Sequence, residues 1–475
     1  MNLICIVSDT VRADYLGCYG NDWVKTPNLD RLAREGILFK NAYVEGLPTI
    51  PERTVFFTGK YTIPFRTWQP LWPHDITLAQ ILGKKGVFQV ETLGKENYVN
   101  SLITSTYHYT KPGMNFHRGF HSFKWIRGQE IDIYNTDPTH GRDFEKYLPE
   151  DLRDGIVKRM STGTHRGGAP AIEWYHQYHQ NVADRKCEED YFPAQTFKAA
   201  IHWLEGNRVH DKFFLWVDEF DPHEPWDPPV RYYKMYSNPS YQGPMPIWHY
   251  KGAAAKNYTD DEIHEIKACY AGELSLVDHW IGELLNKIDK LGLRSNTVVV
   301  FLSDHGTAHG EHGQLGKGLL TYREITRIPL IIRHPQGPKG KRIDQLVWTP
   351  DFAPTILDIL EIEAPRTMHG KSFWPLVTNE ADTVRNHIFS GIFHPFTELM
   401  SAQPPPDVDK SFIKYVCDGE WSAVRHILGG KFQELYDLRD DPKELQNVAS
   451  GNPERLEEME KKATEFVEKC SSLKP

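Results

Sequence analysis

Asp9 follows the apolar run Leu3–Val7, and Asp304-His305 follows a second one, Thr297–Leu302. In an open parallel sheet, ligands gather beyond the carboxyl ends of the strands. An aspartate at one such end and an aspartate–histidine pair at another are donors for a divalent cation, and the hydroxyl of Thr49 would complete the set. Taken alone, Ser303-Asp304-His305-Gly306 reads equally well as a structural turn. Carboxylate, imidazole and hydroxyl ligands suit Mn²⁺ or Zn²⁺ better than calcium or magnesium. A second ion would need another cluster, for which His309, His312, Asp221 and His223 are the candidates. A free threonine hydroxyl is a poor nucleophile, but coordination to a metal lowers its pKa and aims its oxygen. Arg53, four residues on, shares a face with Thr49 if a helix begins there. It would then bind an oxyanion beside the N–H groups of the helix start. Glu52 lies between them, and an inward carboxylate would repel an anion, so it is expected to point away.

These residues need a scaffold of alternating strands and helices. Leu3–Val7, Phe213–Val217, Thr297–Leu302 and Ile328–Ile332 are continuous apolar runs, the pattern of strands covered on both faces. A helix begins at Thr26-Pro27, another near Pro193, and a long one spans Asp260–Leu291 with Ile263, Ile266, Tyr270, Leu274, Val277, Ile281, Leu284 and Ile288 at helical spacing. The alternation predicts an α/β fold, a large mixed, mainly parallel sheet sandwiched by helices, over residues 1–376. Residues 377–475 read differently. Short strands over 387–393, 412–417, 421–428 and 434–438 and a charged helix over 453–470 predict a small antiparallel sheet plus helix. Pro404-Pro405-Pro406 falls in a loop. Residues 107–192 have weak periodicity and many His, Tyr and Trp, the mark of a lid, substrate or oligomer insertion.

Composition narrows the classes. A net charge of −9 without a long basic run gives no reason for a nucleic-acid partner. No apolar run reaches the ~18 residues of a membrane helix. The apolar N-terminus is too short for a signal peptide and runs straight into Asp9. Six scattered cysteines show no framework spacing, which suits reduced thiols in a cytoplasmic protein.

The run Gly46-Leu47-Pro48-Thr49-Ile50-Pro51-Glu52-Arg53, continuing to Thr58-Gly59-Lys60-Tyr61, resembles the nucleophile cassette of the type I sulfatases. Their pattern is Cys-x-Pro-Ser-Arg, apolar residues, then Thr-Gly-Arg/Lys-Tyr. Asp9-Thr10-Val11-Arg12 with Leu16-Gly17-Cys18-Tyr19-Gly20 resembles the family's opening. Ser303-Asp304-His305-Gly306 with Lys317 resembles its second metal motif, and Leu435-Tyr436-Asp437-Leu438 its C-terminal signature. In this order the motifs resemble the sulfatase-like branch of the alkaline phosphatase superfamily, with phosphonate monoester hydrolases and phosphodiesterases as the nearest functional relatives. The resemblance implies that Asp9, Asp304 and His305 bind one divalent metal, with Thr49 as the substrate-facing ligand. Thr10 stands where many sulfatases place a second carboxylate; it is a weak ligand or only a turn former. In Asp221-Pro222-His223-Glu224-Pro225, His223 resembles the family's leaving-group histidine, a general acid near neutral pH. Lys317 is implied as a second cationic contact. For the family's Gly-Lys-Trp-His motif this chain offers Gly94-Lys95-Glu96-Asn97 or Thr104-Ser105-Thr106-Tyr107-His108. The second follows the better strand, so Tyr107 and His108 are the preferred pocket-lining pair.

Thr49 departs from the resemblance at its centre. The sulfatase cysteine is oxidised to formylglycine, which a threonine cannot become. A formylglycine hydrate has a second hydroxyl that expels sulfate; threonine has one. A phosphothreonine adduct can instead be cleared by water at a metal site. Charge balance at one metal then favours a small, singly anionic ester, a phosphodiester or phosphonate monoester. The alternatives are a sulfuric ester hydrolase using unmodified Thr49, a phosphotransferase and an inactive sulfatase-like protein. Such insertions often join relatives into homo-oligomers. The chain offers no membrane anchor of the kind a lipid-headgroup transferase uses.

Overall fold

The computed structural model describes residues 1–63, 65–66, 68–85, 96–137, 171–249, 251, 253–317, 321–392, 412–426 and 430–473. Gly94-Lys95, the middle of the 107–192 segment and Pro404-Pro405-Pro406 lie outside the described residues. In chain order the strands are β1 (Asn2–Ser8), β2 (Ile37–Tyr43), β3 (Gly46–Leu47), β4 (Val99–Thr104), β5 (Ser122–Trp125), β6 (Phe213–Glu219), β7 (Thr297–Leu302), β8 (Ala308–His309), β9 (Leu315–Gly316), β10 (Arg327–Arg333), β11 (Lys341–Trp348), β12 (Ile388–Ile392), β13 (Ile413–Cys417), β14 (Trp421–Val424) and β15 (Glu434–Asp437).

Eight of them form one sheet in the order β11-β2-β10-β7-β1-β6-β4-β5. β10 is antiparallel to both neighbours and every other pairing in the sheet is parallel. β1 is buried along its whole length because alternate side chains enter two different cores. Ile4 and Ile6 pack with Phe197, Leu274, Val277 and Ile281 from the helices Phe192–Asn207 and Asp260–Lys290. Leu3, Cys5 and Val7 pack with Ile50, Phe56 and Phe57 from the helix Thr49–Thr58 and with Phe352 and Ile356 from Phe352–Ile359. The long helix begins with a capping box: Thr259 Oγ1 accepts from the Glu262 amide at 3.2 Å and Glu262 Oε2 from the Thr259 amide at 2.9 Å.

A second sheet runs β15-β14-β13-β12-β3. Its strands from the C-terminal part pair antiparallel, and the helix Pro453–Ser471 covers them, with Phe466 stacked on Phe389 at 4.4 Å. Its fifth member is β3, from the other end of the chain. β3 pairs parallel with β12, Gly46 against Gly391 and Leu47 against Ile392. The sequence reading built this sheet from residues 377–475 alone; a two-residue strand carries too little pattern to show. Position 46 must be glycine, since a Cβ there would collide with Thr62 and Pro51. All six cysteines are free thiols, and among the described residues no helix is long and apolar enough to cross a membrane.

Candidate active site

Three adjacent strands of the large sheet deliver the acidic groups. β7 ends at Asp304-His305, β1 at Asp9, and β6 carries Asp218 near its carboxyl end. The Asp9 amide donates to Glu219 O at 2.9 Å, and the Thr10 amide to Asp304 Oδ1 at 3.1 Å. Ligand atoms of Asp9, Asp304 and His305 all lie within 4.8 Å of one another, and all three residues are fully buried. His305 Nδ1 donates to Gly306 O at 2.9 Å, which leaves Nε2 as the lone-pair nitrogen. Both Asp9 carboxylate oxygens, Thr10 Oγ1, Thr49 Oγ1 and His305 Nε2 are buried without a hydrogen-bond partner. Buried polar atoms are otherwise almost always paired. The donors left over are those a divalent cation uses, so this site fits one. Thr10 adds a second sign of a constrained centre, with φ at 58° in the left-handed region that β-branched residues avoid.

Burial and the neighbouring Asp304 raise the Asp9 carboxyl well above its usual range. Burial also opposes ionisation of Asp304, but the charges of His305 and Arg53 outweigh it and hold that carboxyl low.

Arg53 is fully buried in the helix Thr49–Thr58, one turn after Thr49, with its Nη1 at 3.3 Å from Thr49 O. Its guanidinium grips Asp218 bidentately, Nε to Oδ2 at 3.0 Å and Nη2 to Oδ1 at 2.7 Å. It also reaches Asp304 Oδ2 at 2.5 Å and Asp9 Oδ2 at 3.2 Å. Expected to face an oxyanion, Arg53 here ties three strand ends to the nucleophile helix. Asp218 was not anticipated. Its signal was present, an acidic residue at the carboxyl end of an apolar run, as for Asp9 and Asp304. Thr106 joins the group by donating to Asp218 Oδ1 at 2.7 Å. Glu52 faces inward, away from Thr49's hydroxyl: its Oε2 accepts from the Glu45 and Gly46 amides at 3.1 and 3.0 Å, fastening the strand that precedes Thr49.

A second group comes from three loops. The His223 ring stacks on Phe220 at 4.1 Å, and its Nδ1 donates to Glu224 O at 2.7 Å. Lys317 Nζ hydrogen-bonds His223 Nε2 and lies 3.2 Å from Glu224 Oε2. Burial, with the Lys317 charge adding to it, pushes the His223 imidazole down to about 4, against the pull of Glu224. A histidine titrating near neutrality was expected; here His223 is neutral and Lys317 carries the proton. Tyr107 and His108 lie on the other side of Phe220, at 6.0 and 5.5 Å between ring centroids. Both contact Glu130, which the sequence reading missed: Tyr107 OH donates to Oε2 at 2.9 Å, and His108 Nε2 lies 3.3 Å away. Burial opposes its ionisation, but His108, His223 and Lys317 hold Glu130 ionised, down to about 2. Its segment has no periodicity from which this placement could be read.

The candidates for a second ion do not meet. His309 bonds Tyr15 OH at 3.0 Å and lies against the Tyr270 ring. His312 stacks on Tyr322 at 3.6 Å, and Asp221 accepts from Gln129 Nε2 at 2.5 Å. Among the described residues, Asp9, Asp304 and His305 form the one close group of three or more such ligands.

A sulfatase family model matches residues 1–362, and a model of the N-sulphoglucosamine sulphohydrolase C-terminal region matches residues 310–471. The chain belongs to the sulfatase family, whose members are hydrolases. It is 27% identical to an arylsulfatase of Clostridium perfringens over 97% of this chain and 93% of that one. It is 24% identical to the N-acetylglucosamine-6-O-sulfatase of Bacteroides thetaiotaomicron, over 94% and 82%. Its fold matches the phosphonate monoester hydrolase of Silicibacter pomeroyi with a TM-score of 0.70, at 20% identity over 99% of this chain and 95% of that one. The mainly parallel large sheet and the small antiparallel sheet are those of the sulfatase-like branch of the alkaline phosphatase superfamily.

Proposed function

We propose that the protein is a metal-dependent hydrolase of phosphate esters, phosphodiesters or phosphonate monoesters, that acts through a phosphorylated Thr49. The observation that carries this reading is Thr49 itself. An unmodified hydroxyl stands at the nucleophile position, buried and without a hydrogen-bond partner, at the start of a helix whose Arg53 binds the metal-site carboxylates. Asp9, Asp304, His305 and the Thr49 hydroxyl would hold a divalent ion, Mn²⁺ or Zn²⁺, which supplies Lewis acidity and favours the deprotonated hydroxyl.

Thr49 Oγ attacks phosphorus as the bond to the leaving oxygen breaks. The leaving oxygen takes its proton from the Lys317–His223 pair, where a proton is already shared between Nζ and Nε2. Water then attacks the phosphothreonine, the phosphorus–Oγ bond breaks, and Thr49 recovers its proton. With one hydroxyl, Thr49 cannot expel the group by the collapse open to a formylglycine hydrate. Charge supports a small, singly anionic substrate. Arg53 and a divalent ion balance Asp9, Asp218 and Asp304, and Glu224 partly offsets Lys317, so little positive charge remains for a dianion. The six unpaired cysteines fit a reducing compartment, the cytoplasm.

A second reading, sulfuric ester hydrolysis by unmodified Thr49, is favoured by the curated relatives, which are named as sulfatases. One panel separates them: metal-reconstituted protein assayed on an aryl phosphodiester, an aryl phosphonate monoester, an aryl phosphate monoester and an aryl sulfate, beside Thr49→Ala. The phosphodiester or phosphonate should turn over fastest, and Thr49→Ala should lose at least ~10³-fold of that rate. A sulfate rate above every phosphorus ester would replace this reading with the second.

A further inference from the structure

Behind Glu130 lies a pocket of about 230 Å³. Its wall is aromatic: Trp174, Tyr175, Tyr178 and Trp248, closed by Pro225, with Glu130 as its one charged group. Tyr175 and Trp248 stand 5.8 Å apart at 72°, so their faces form two sides of a box. We propose that this pocket is the subsite for a cationic head group, an alkylated ammonium on the alcohol portion of the ester, and that Glu130 is its counter-ion.

The argument runs from shape and charge. Ring faces carry negative potential and attract an ammonium placed over them. A flat sugar ring would ask for one stacking face or two parallel ones; a compact, round cation suits faces set steeply to one another. The volume points the same way, since it falls below the ~300–1,000 Å³ of typical small-molecule pockets and suits a head group. Glu130 is only 6% exposed, and an ionised carboxylate in an aromatic wall is costly unless a cation meets it. Its known partners, Tyr107 OH and His108, lie on the catalytic side, and burial pushes the His108 imidazole down to about 4. Neither gives the pocket side a positive charge. The nearby Arg185 is paired with Asp227 at 3.2 Å. The subsite also lies where a leaving group would extend: Pro225 is two residues from His223, and Glu130 bonds the pocket-lining Tyr107. An ester anion at Thr49 with a cation at Glu130 would be a zwitterionic substrate, which agrees with the small positive excess at the metal site.

This assignment rests on the reading of the centre as an ester hydrolase, but its test does not need turnover. Phenyltrimethylammonium and its neutral isostere tert-butylbenzene are titrated into the Thr49→Ala protein and followed by tryptophan fluorescence. The cation should bind at least ~10-fold more tightly than the isostere, and Glu130→Gln should remove that preference. Trp248→Ala should weaken the cation, and Trp248→Phe should restore most of the binding. Equal affinity for cation and isostere, or a preference that survives Glu130→Gln, overturns the subsite. Cation binding without hydrolysis of any phosphorus ester would overturn the proposed reaction and leave the subsite standing.

Discussion

At the scale of the residue, the neutral His223 changes the expected acid. With Nδ1 committed to Glu224 O, Nε2 can only accept, and the proton at this point of the site belongs to Lys317. The leaving-group oxygen therefore receives it from an ammonium whose acidity is tuned by a buried imidazole. This makes a graded prediction. Lys317→Gln should lower kcat ~10²–10⁴-fold for an alkyl leaving group, which must be protonated, and far less for a p-nitrophenyl leaving group, which need not be. Rates for both esters across a series of leaving-group pKa values check it; an equal loss for both would assign Lys317 to charge stabilisation alone. Arg53 teaches a related lesson. Its type and its spacing from Thr49 were readable in the sequence, but its partners were not, because three carboxylates from three distant strands claim the guanidinium.

At the scale of the element, the nucleophile helix is fastened at both ends by charges with no role in the reaction. Before it, Glu52 holds the Glu45 and Gly46 amides. After it, buried Asp75 binds Arg66 through two contacts, at 2.7 and 2.9 Å, and Lys60 at 3.2 Å. Burial works against the Asp75 charge, but Arg66 and Lys60 prevail and draw the carboxyl down to about 2. A folded value below the unfolded one means stability that is complete above ~pH 4 and lost as pH falls through ~2. The contribution is on the order of 2 kcal/mol at neutral pH. Asp75→Asn should flatten the acid limb of stability between ~pH 4 and 2 and cost ~3–5 kcal/mol at pH 7, because two buried cations lose their anion. Urea melts across pH test both; an unchanged acid limb would remove Asp75 as its source.

At the scale of the whole molecule, the site is assembled from parts that approach from far along the chain, and the pattern of what could be read follows from that. β1 and β7 were legible because both faces are buried, so their runs are apolar throughout and stop at the acidic residues. The long helix was legible from its periodicity over many turns. β2 was missed because Lys40 and Asn41 interrupt its apolar run, and β11 because, at the sheet edge, it exposes Arg342, Asp344 and Gln345. Asp218 and Glu130 were missed because their meaning lies in partners, not in local pattern. An assembly of this kind should respond to its ion as a whole. Mn²⁺ or Zn²⁺ at ~1,000 times its dissociation constant would add ~4 kcal/mol of folding stability. Thermal melts with metal, with chelator and with Asp304→Asn measure it: chelator should lower the Tm, and Asp304→Asn should melt at one temperature in either condition. Equal Tm values for the wild type with and without metal would argue against the ion.

The two-residue β3 has a consequence for how such a protein can be divided. Every residue assigned a chemical role precedes position 318, so a gene cut near residue 376 would keep the full list. Yet Gly46 and Leu47, which lead into Thr49, hydrogen-bond to a strand encoded more than 300 residues later. The reactive hydroxyl is aimed from both halves at once. The C-terminal region is therefore no accessory that recombination could exchange freely: a transplanted tail would have to offer the same strand edge, at the same height, before the borrowed nucleophile could point at anything.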